Sequence, residues 1–269
     1  MLDDLRKVPV FLRRDISILY SYKSALIMSI IGTVLNIFNF VLFGWMFKVT
    51  TIDTLTPYGG DFISYILVGS IGWAVLWNIG SATSSSLRGE MIAGSLESLL
   101  LYTNVSTFVI ASTIYGCFFG LISTTVILLV GFLAFGVTIF VTLNLYTIIV
   151  FVLSVLLMMG FGMIFGGLTL WIKNIGDAVP LVQSIVVFFS GVYFPISILP
   201  DFLQPVARYI PFYYVIEGLR KSLLPAPNAE MIEYVVILLI FSIAFVLTGL
   251  YAMRRGLEKA KKDGTLAFF

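Results

Sequence analysis

Six stretches of this sequence are strongly apolar and contain no Asp, Glu, Lys or Arg. They run from Ala25 to Phe47, Phe62 to Ile79, Phe108 to about Val141, Leu145 to Trp171, Ala178 to Phe194 and Tyr234 to Met253. A helix rises about 1.5 Å per residue, so about 20 residues cover the roughly 30 Å hydrocarbon core of a bilayer. Inside lipid every backbone polar group must be paired within the protein, which leaves helices as the form these stretches can take. Charged residues make up 11% of the 269 positions, against about 25% in a soluble globular chain. The expected fold is therefore an all-α integral membrane protein with six transmembrane helices. It divides into an interfacial segment (1–24), a six-helix bundle (25–253) and a basic tail (254–269), all one transmembrane domain. The third stretch is long enough to tilt or to leave the bilayer around Gly131 and Gly136, and the fifth is short.

The same composition excludes most chemistry. There is no histidine, and Cys117 is the one cysteine, inside an apolar run where it reads as a small buried hydrophobe. No G-x-x-x-x-G-K-[ST] occurs, so the chain has no phosphate cradle of its own. No catalytic, cofactor or metal site is expected, and no nucleic-acid partner. An intramembrane enzyme would need His, Asp or Cys clustered at membrane depth, which the runs do not offer. Small residues recur at helical spacing, Gly116 with Gly120 and Gly162 with Gly166, and read as close helix packing within one subunit.

Orientation follows from the basic residues. With the N-terminus inside, the inner segments hold Arg6, Lys7, Arg13, Arg14, Lys23, Arg88, Lys173, Arg254, Arg255, Lys259, Lys261 and Lys262; the outer ones hold Lys48, Arg208, Arg220 and Lys221. Basic loops resist translocation, so 12 against 4 places both termini in the cytoplasm. The sequon Asn104-Val105-Ser106 then falls on the inner side and reads as chance. No cleavable signal is expected: the first 24 residues are mixed and charged, and the first apolar run is long enough to span.

Four segments are not simple spans. Residues 1–24 place Leu2, Leu5, Val8, Phe11, Leu12, Ile16, Leu19 and Tyr20 at helical spacing among basic residues, the pattern of an interfacial helix, with Pro9 kinking it or marking its start. Between Arg88 and Ser106, the pattern puts Ile92, Leu96, Leu99 and Leu100 on one face of a short helix, and Glu90, Gly94 and Glu97 on another. Such a helix rests on the bundle or meets a cytoplasmic partner through its acidic face. From Ser190 to Leu224, Pro195, Pro200, Pro205 and Pro211 cut a very apolar outer segment into pieces. Stretches of this length read as re-entrant, here as helices over Leu199–Tyr209 and Phe212–Leu223, with an exposed Glu217–Lys221 pair. The basic run of the tail reads as lipid-headgroup contact.

At these segments the sequence resembles the permease subunit of type-2 ABC exporters. The match is carried by Gly191, Phe194, Pro195, Leu199, Pro200, Pro205, Pro211, Glu217, Gly218, Leu219 and Arg220, and by Glu90, Gly94, Glu97 and the stretch Leu99 to Ser106, where Asn104 stands in place of the family's proline. The resemblance implies a subunit of a prokaryotic cytoplasmic membrane that pairs with a second copy and binds a separate ATP-binding cassette ATPase, which holds the ATP and magnesium. It implies that Arg88, Glu90, Gly94 and Glu97 belong to a cytoplasmic coupling helix seated on that ATPase. It implies that Pro195, Pro200, Pro211, Glu217 and Arg220 belong to a re-entrant outer gate. The expected function is export of a hydrophobic or amphipathic cargo such as a drug, lipid or lipid-linked glycan. The competing expectation is an ion-gradient carrier; such carriers usually place ionisable groups at membrane depth, and the six runs hold none.

Overall fold

The computed structural model describes residues 6–21, 23–46, 62–136, 144–172, 178–223 and 228–264. Leu2, Leu5, Lys48, Lys173 and the last residues of the tail, named above, lie outside them. The described residues form helices α1 (Val8–Ser21), α2 (Lys23–Met46), α3 (Phe62–Ile92), α4 (Leu96–Tyr102), α5 (Val105–Phe135), α6 (Leu145–Trp171), α7 (Ala178–Phe189), α8 (Gln204–Tyr209), α9 (Pro211–Leu223) and α10 (Asn228–Lys262), with a 3-10 turn at Ile196–Ile198 between α7 and α8. No strand occurs among them.

Four helices are long and apolar enough to cross a membrane: α3, α5, α6 and the Met231–Lys262 part of α10. The six expected crossings thus stand at four by this measure. The first run forms the 24 residues of α2, with Leu26–Asn39 as its described apolar stretch, and the fifth gives only the 12 residues of α7. The third run ends early, because Gly136 adopts a left-handed φ of +66° and closes α5 ahead of Val141. Pro9 lies in the first turn of α1, where its missing N–H costs nothing, so it marks a start and not a kink.

Helix α6 is the centre of the bundle. It packs along α10 on one side and α3 on another, and α5 lies against the far side of α3. These packings are close because glycines remove side chains at the crossings. Gly116 and Gly120 set α5 onto α3, and Gly162 sets α6 onto α3, so the glycine pairs read from the sequence pack within the subunit. The tightest seam joins α6 to α10, with Gly160 against Gly249 and Gly167 against Gly256, each pair backbone to backbone. An aromatic stack continues the core: Phe161 of α6 meets Phe212 of α9 edge to face at 5.1 Å, and Phe212 meets Phe245 of α10 at 6.1 Å.

A methyl at Gly160 would overlap the backbone of Phe245, whereas one at Gly32 meets nothing. Overpacking of this kind costs about 1–3 kcal/mol. Gly160→Val is expected to lower the melting temperature of the protein in detergent by several degrees and Gly32→Ala to leave it unchanged, as read by circular dichroism on heating.

Candidate functional site

The two regions singled out in the sequence lie at opposite ends of the bundle. At the first, α7 stops at Phe189, five residues before the end of its apolar run, and the chain turns at Gly191 with φ +70°. Unwound backbone at this depth exposes carbonyls that need donors. Arg220 supplies them: Nη2 donates to the carbonyls of Gly191 at 3.1 Å and Val192 at 3.3 Å. Its Nη1 donates to the Tyr65 hydroxyl at 2.9 Å and to Glu217 Oε2 at 3.1 Å. The Tyr65 hydroxyl in turn donates to the Gly191 carbonyl at 3.0 Å, and the guanidinium carbon stands 3.6 Å over the Tyr65 ring centroid. Arg220 is 1% exposed and Glu217 3%. Gly69 of α3 makes room, since any Cβ there would overlap Val192 and Arg220.

This corrects two expectations. Glu217 forms a buried i,i+3 pair with Arg220 in place of the exposed pair expected with Lys221, whose ammonium stands 5.0 Å from the Tyr234 ring centroid. The bundle also buries ionisable groups, which the charge-free runs did not suggest: they enter on α9, outside those runs. The prolines punctuate the segment. Pro195 precedes the 3-10 turn, Pro200 follows Leu199, Pro205 sits in the first turn of α8 and Pro211 opens α9. The expected Leu199–Tyr209 helix shrinks to Gln204–Tyr209, because residues 199–203 form turns instead. Helix α9 starts beside Phe161, well along α6, and ends where the Ser222 carbonyl accepts from Asn144 Nδ2 at 3.2 Å and Thr147 Oγ1 at 3.0 Å, at the start of α6. It therefore rises along α6 from the interior of the bundle to its end.

At the opposite end, α3 continues to Ile92, and Gly94 with φ +68° makes the corner into α4. Glu90 is thus on the long helix, Gly94 is the turn, and Glu97 is in the first turn of the short helix. They do not share one helical face, and Ile92 is 68% exposed while Leu96 is fully buried. One Glu90 carboxylate oxygen accepts from Arg14 of α1, and the other accepts from the Ser95 hydroxyl at 2.5 Å. Arg14 also holds Asp15 at 2.8 Å and lies 5.2 Å from the Phe11 ring centroid. Burial pushes the Asp15 carboxyl above its ordinary range against the pull of Arg14. Lys7, just before α1, donates to the Tyr102 carbonyl at the end of α4 at 2.7 Å, while Arg14 reaches the corner ahead of α4 through Glu90. What remains outward are Arg88 and Glu97, with Ile92, Leu101 at 78% and Tyr102 at 77% exposed.

Between these ends lies a cavity of 340 Å³ bounded by α2, α3, α5 and α7. Its polar lining includes Asn36, Asn78, Ser123, Gln183 and Tyr193, and Tyr193 donates to Asn36 Oδ1 at 2.9 Å. The Ser70 hydroxyl, on its wall, is buried without a hydrogen-bond partner.

Residues 7–224, spanning both ends and the cavity, match the family described as ABC-2 type transporter. The chain belongs to that family. Inner membrane transport permease YadH of Escherichia coli K12 is 26% identical over 206 residues, which cover 74% of this chain and 77% of the relative. The proteins of the same name in Escherichia coli O157:H7 and Shigella flexneri match with the same figures. This ABC-2 subunit is accordingly a multi-pass membrane component of an ABC transporter, a transport part rather than an enzyme.

In this ABC-2 subunit Arg14, Tyr65 and Gly69 contact the two candidate regions, and its sequence does not single them out. Arg14 reads as one more basic anchor, and a tyrosine and glycine one turn apart in an apolar run carry no sign of what they face. Removing one member of a buried ion pair costs about 3–5 kcal/mol, while replacing both by apolar residues is often tolerated. Arg220→Gln is expected to abolish recovery of monodisperse protein by size-exclusion chromatography. Glu217→Leu combined with Arg220→Met removes the unpaired charge but leaves the Val192 carbonyl without its arginine donor, so it is expected to restore only a minor part of the yield.

Proposed function

We propose that this chain is the permease subunit of an ATP-binding cassette exporter, driven by a separate ATPase that holds the ATP and magnesium. The observation that carries the reading is the outward face around α4. Ile92, Leu101 and Tyr102 are exposed apolar side chains at this end, Arg88 and Glu97 are exposed charged ones, all lie beyond the apolar runs, and Arg14 and Lys7 tie the segment to the N-terminal helix. An apolar centre with a charged rim suits a protein partner. Glu90 then acts from within, fixing the corner that presents Glu97.

In this reading the chain crosses a prokaryotic cytoplasmic membrane six times with both termini inside, α2 and the shorter α7 providing the other two crossings. The pieces from Pro195 to Leu223 form a re-entrant gate on the outer side. Two copies pair, and the polar cavity beside α2 and α7 belongs to the route of a cargo with both apolar and hydrogen-bonding parts. Support for the cavity's part comes from its neutral polar lining, since a buried hydroxyl such as that of Ser70 gains from a partner.

Affinity-tagged protein purified from membranes of its own host is expected to carry an ATP-binding cassette subunit detectable by mass spectrometry. Glu97→Arg is expected to cut that recovery about tenfold, a loss of about 1.4 kcal/mol, with membrane insertion unchanged. Equal recovery would remove the docking assignment. In a Cys117→Ala background, Asp201→Cys is expected to react with a membrane-impermeant maleimide on intact cells. Reaction only after lysis would reverse the orientation.

A further inference from the structure

A second groove lies on the surface of the bundle, on the same end as α4 and independent of the docking face. It has a volume of 580 Å³ and runs between the start of α5 and the end of α10 over the side of α6. Its floor and walls include Met159, Met163, Val246 and Leu250, and its mouth holds Asn104 and Arg254. No acidic residue lines it.

The depth of this groove is set by the sequence. Arg254 directly follows Met253, where the sixth apolar run ends, and Asn104 stands just before the helix that carries the third. The mouth is therefore level with the lipid headgroups, and the groove descends toward the hydrocarbon. From Arg254 down to Val246 is eight residues of helix, about 12 Å. Water finds no partners along that stretch, and an empty channel forfeits dispersion contacts on every side. The thioethers of Met159 and Met163 give walls that adapt to a flexible chain.

The charge at the mouth selects among lipids. Neighbouring cations of α10 are engaged elsewhere: Arg255 lies 3.9 Å from Glu258 and Lys259 stands 5.3 Å from the Trp171 ring centroid. Arg254 is exposed and, among the described residues, has no acidic partner. We propose that this groove is a binding site for one anionic phospholipid, its phosphate on Arg254 and one acyl chain between α5 and α10. The lipid fills the gap that the α6–α10 seam leaves beside α5 and fastens those helices together at the headgroup level.

The test uses the full chain in detergent, titrated with phosphatidylglycerol or phosphatidylcholine of matched chains and read by native mass spectrometry. Wild type is expected to retain one phosphatidylglycerol in preference to phosphatidylcholine. Arg254→Gln is expected to reduce that preference about fivefold, while Arg255→Gln, one residue along and outside the groove, keeps it. Leu250→Trp, which fills the groove from its lipid-facing wall, is expected to reduce retention of both lipids. Equal retention of the two lipids by wild type, an unchanged preference in Arg254→Gln, or the same loss in Arg255→Gln would overturn the proposal. A disulfide-linked dimer formed by Leu250→Cys at the expense of bound lipid would also overturn it and assign the groove to a second copy.

Discussion

A guanidinium held against unwound backbone is the constraint on which one end of this structure depends. Where α7 stops, the carbonyls of Gly191 and Val192 face the interior with no helical partner, and Arg220 reaches across from α9 to satisfy both. A charge taken out of water needs a counter-charge, and Glu217, one turn earlier on the same helix, provides it. Tyr65 closes the arrangement by bonding to both the arginine and the Gly191 carbonyl. Three segments distant in sequence, α3, the α7 break and α9, are thereby fixed to a single point. The prolines decide where the chain may bend; the arginine decides where the bent chain rests.

The other end is organised by the same physics in a wetter setting. Glu90 is half-buried, and its two oxygens serve different masters, Arg14 from α1 and Ser95 from the corner before α4. Fixing α4 this way matters because a helix of seven residues has little stability of its own. Buried Leu96 packs with Leu87, Met91 and Phe108, so α4 is anchored by apolar contact beneath and by α1 at the side. A force applied to α4 therefore reaches α3 through a short corner and α1 through charged contacts.

Much of this was legible in the sequence, and the limits have physical causes. Apolar length and freedom from charge identify the spanning helices, because lipid enforces that composition directly. Proline positions mark the breaks between Pro195 and Pro211 to within a few residues, since proline acts on its own backbone. Partner choice is a different matter. Glu217 sits at i,i+3 from Arg220 and i,i+4 from Lys221, and only the position of Tyr65 and the unwound Gly191–Val192 stretch favours the arginine. Likewise, the spacing of Glu90, Gly94 and Glu97 suits a single helical face, and a left-handed glycine turns it into a corner. The Gly160–Gly249 and Gly167–Gly256 contacts needed pairing across 89 residues of chain, which periodicity within one helix does not report.

The glycine seam has a mechanical consequence. With no side chain between them at two levels seven residues apart, α6 and α10 touch backbone to backbone, and neither can slide or roll without lifting off its neighbour. They behave as one stiff beam running the depth of the bundle. That beam stands apart from α2 and the truncated α7, the elements that border the polar cavity.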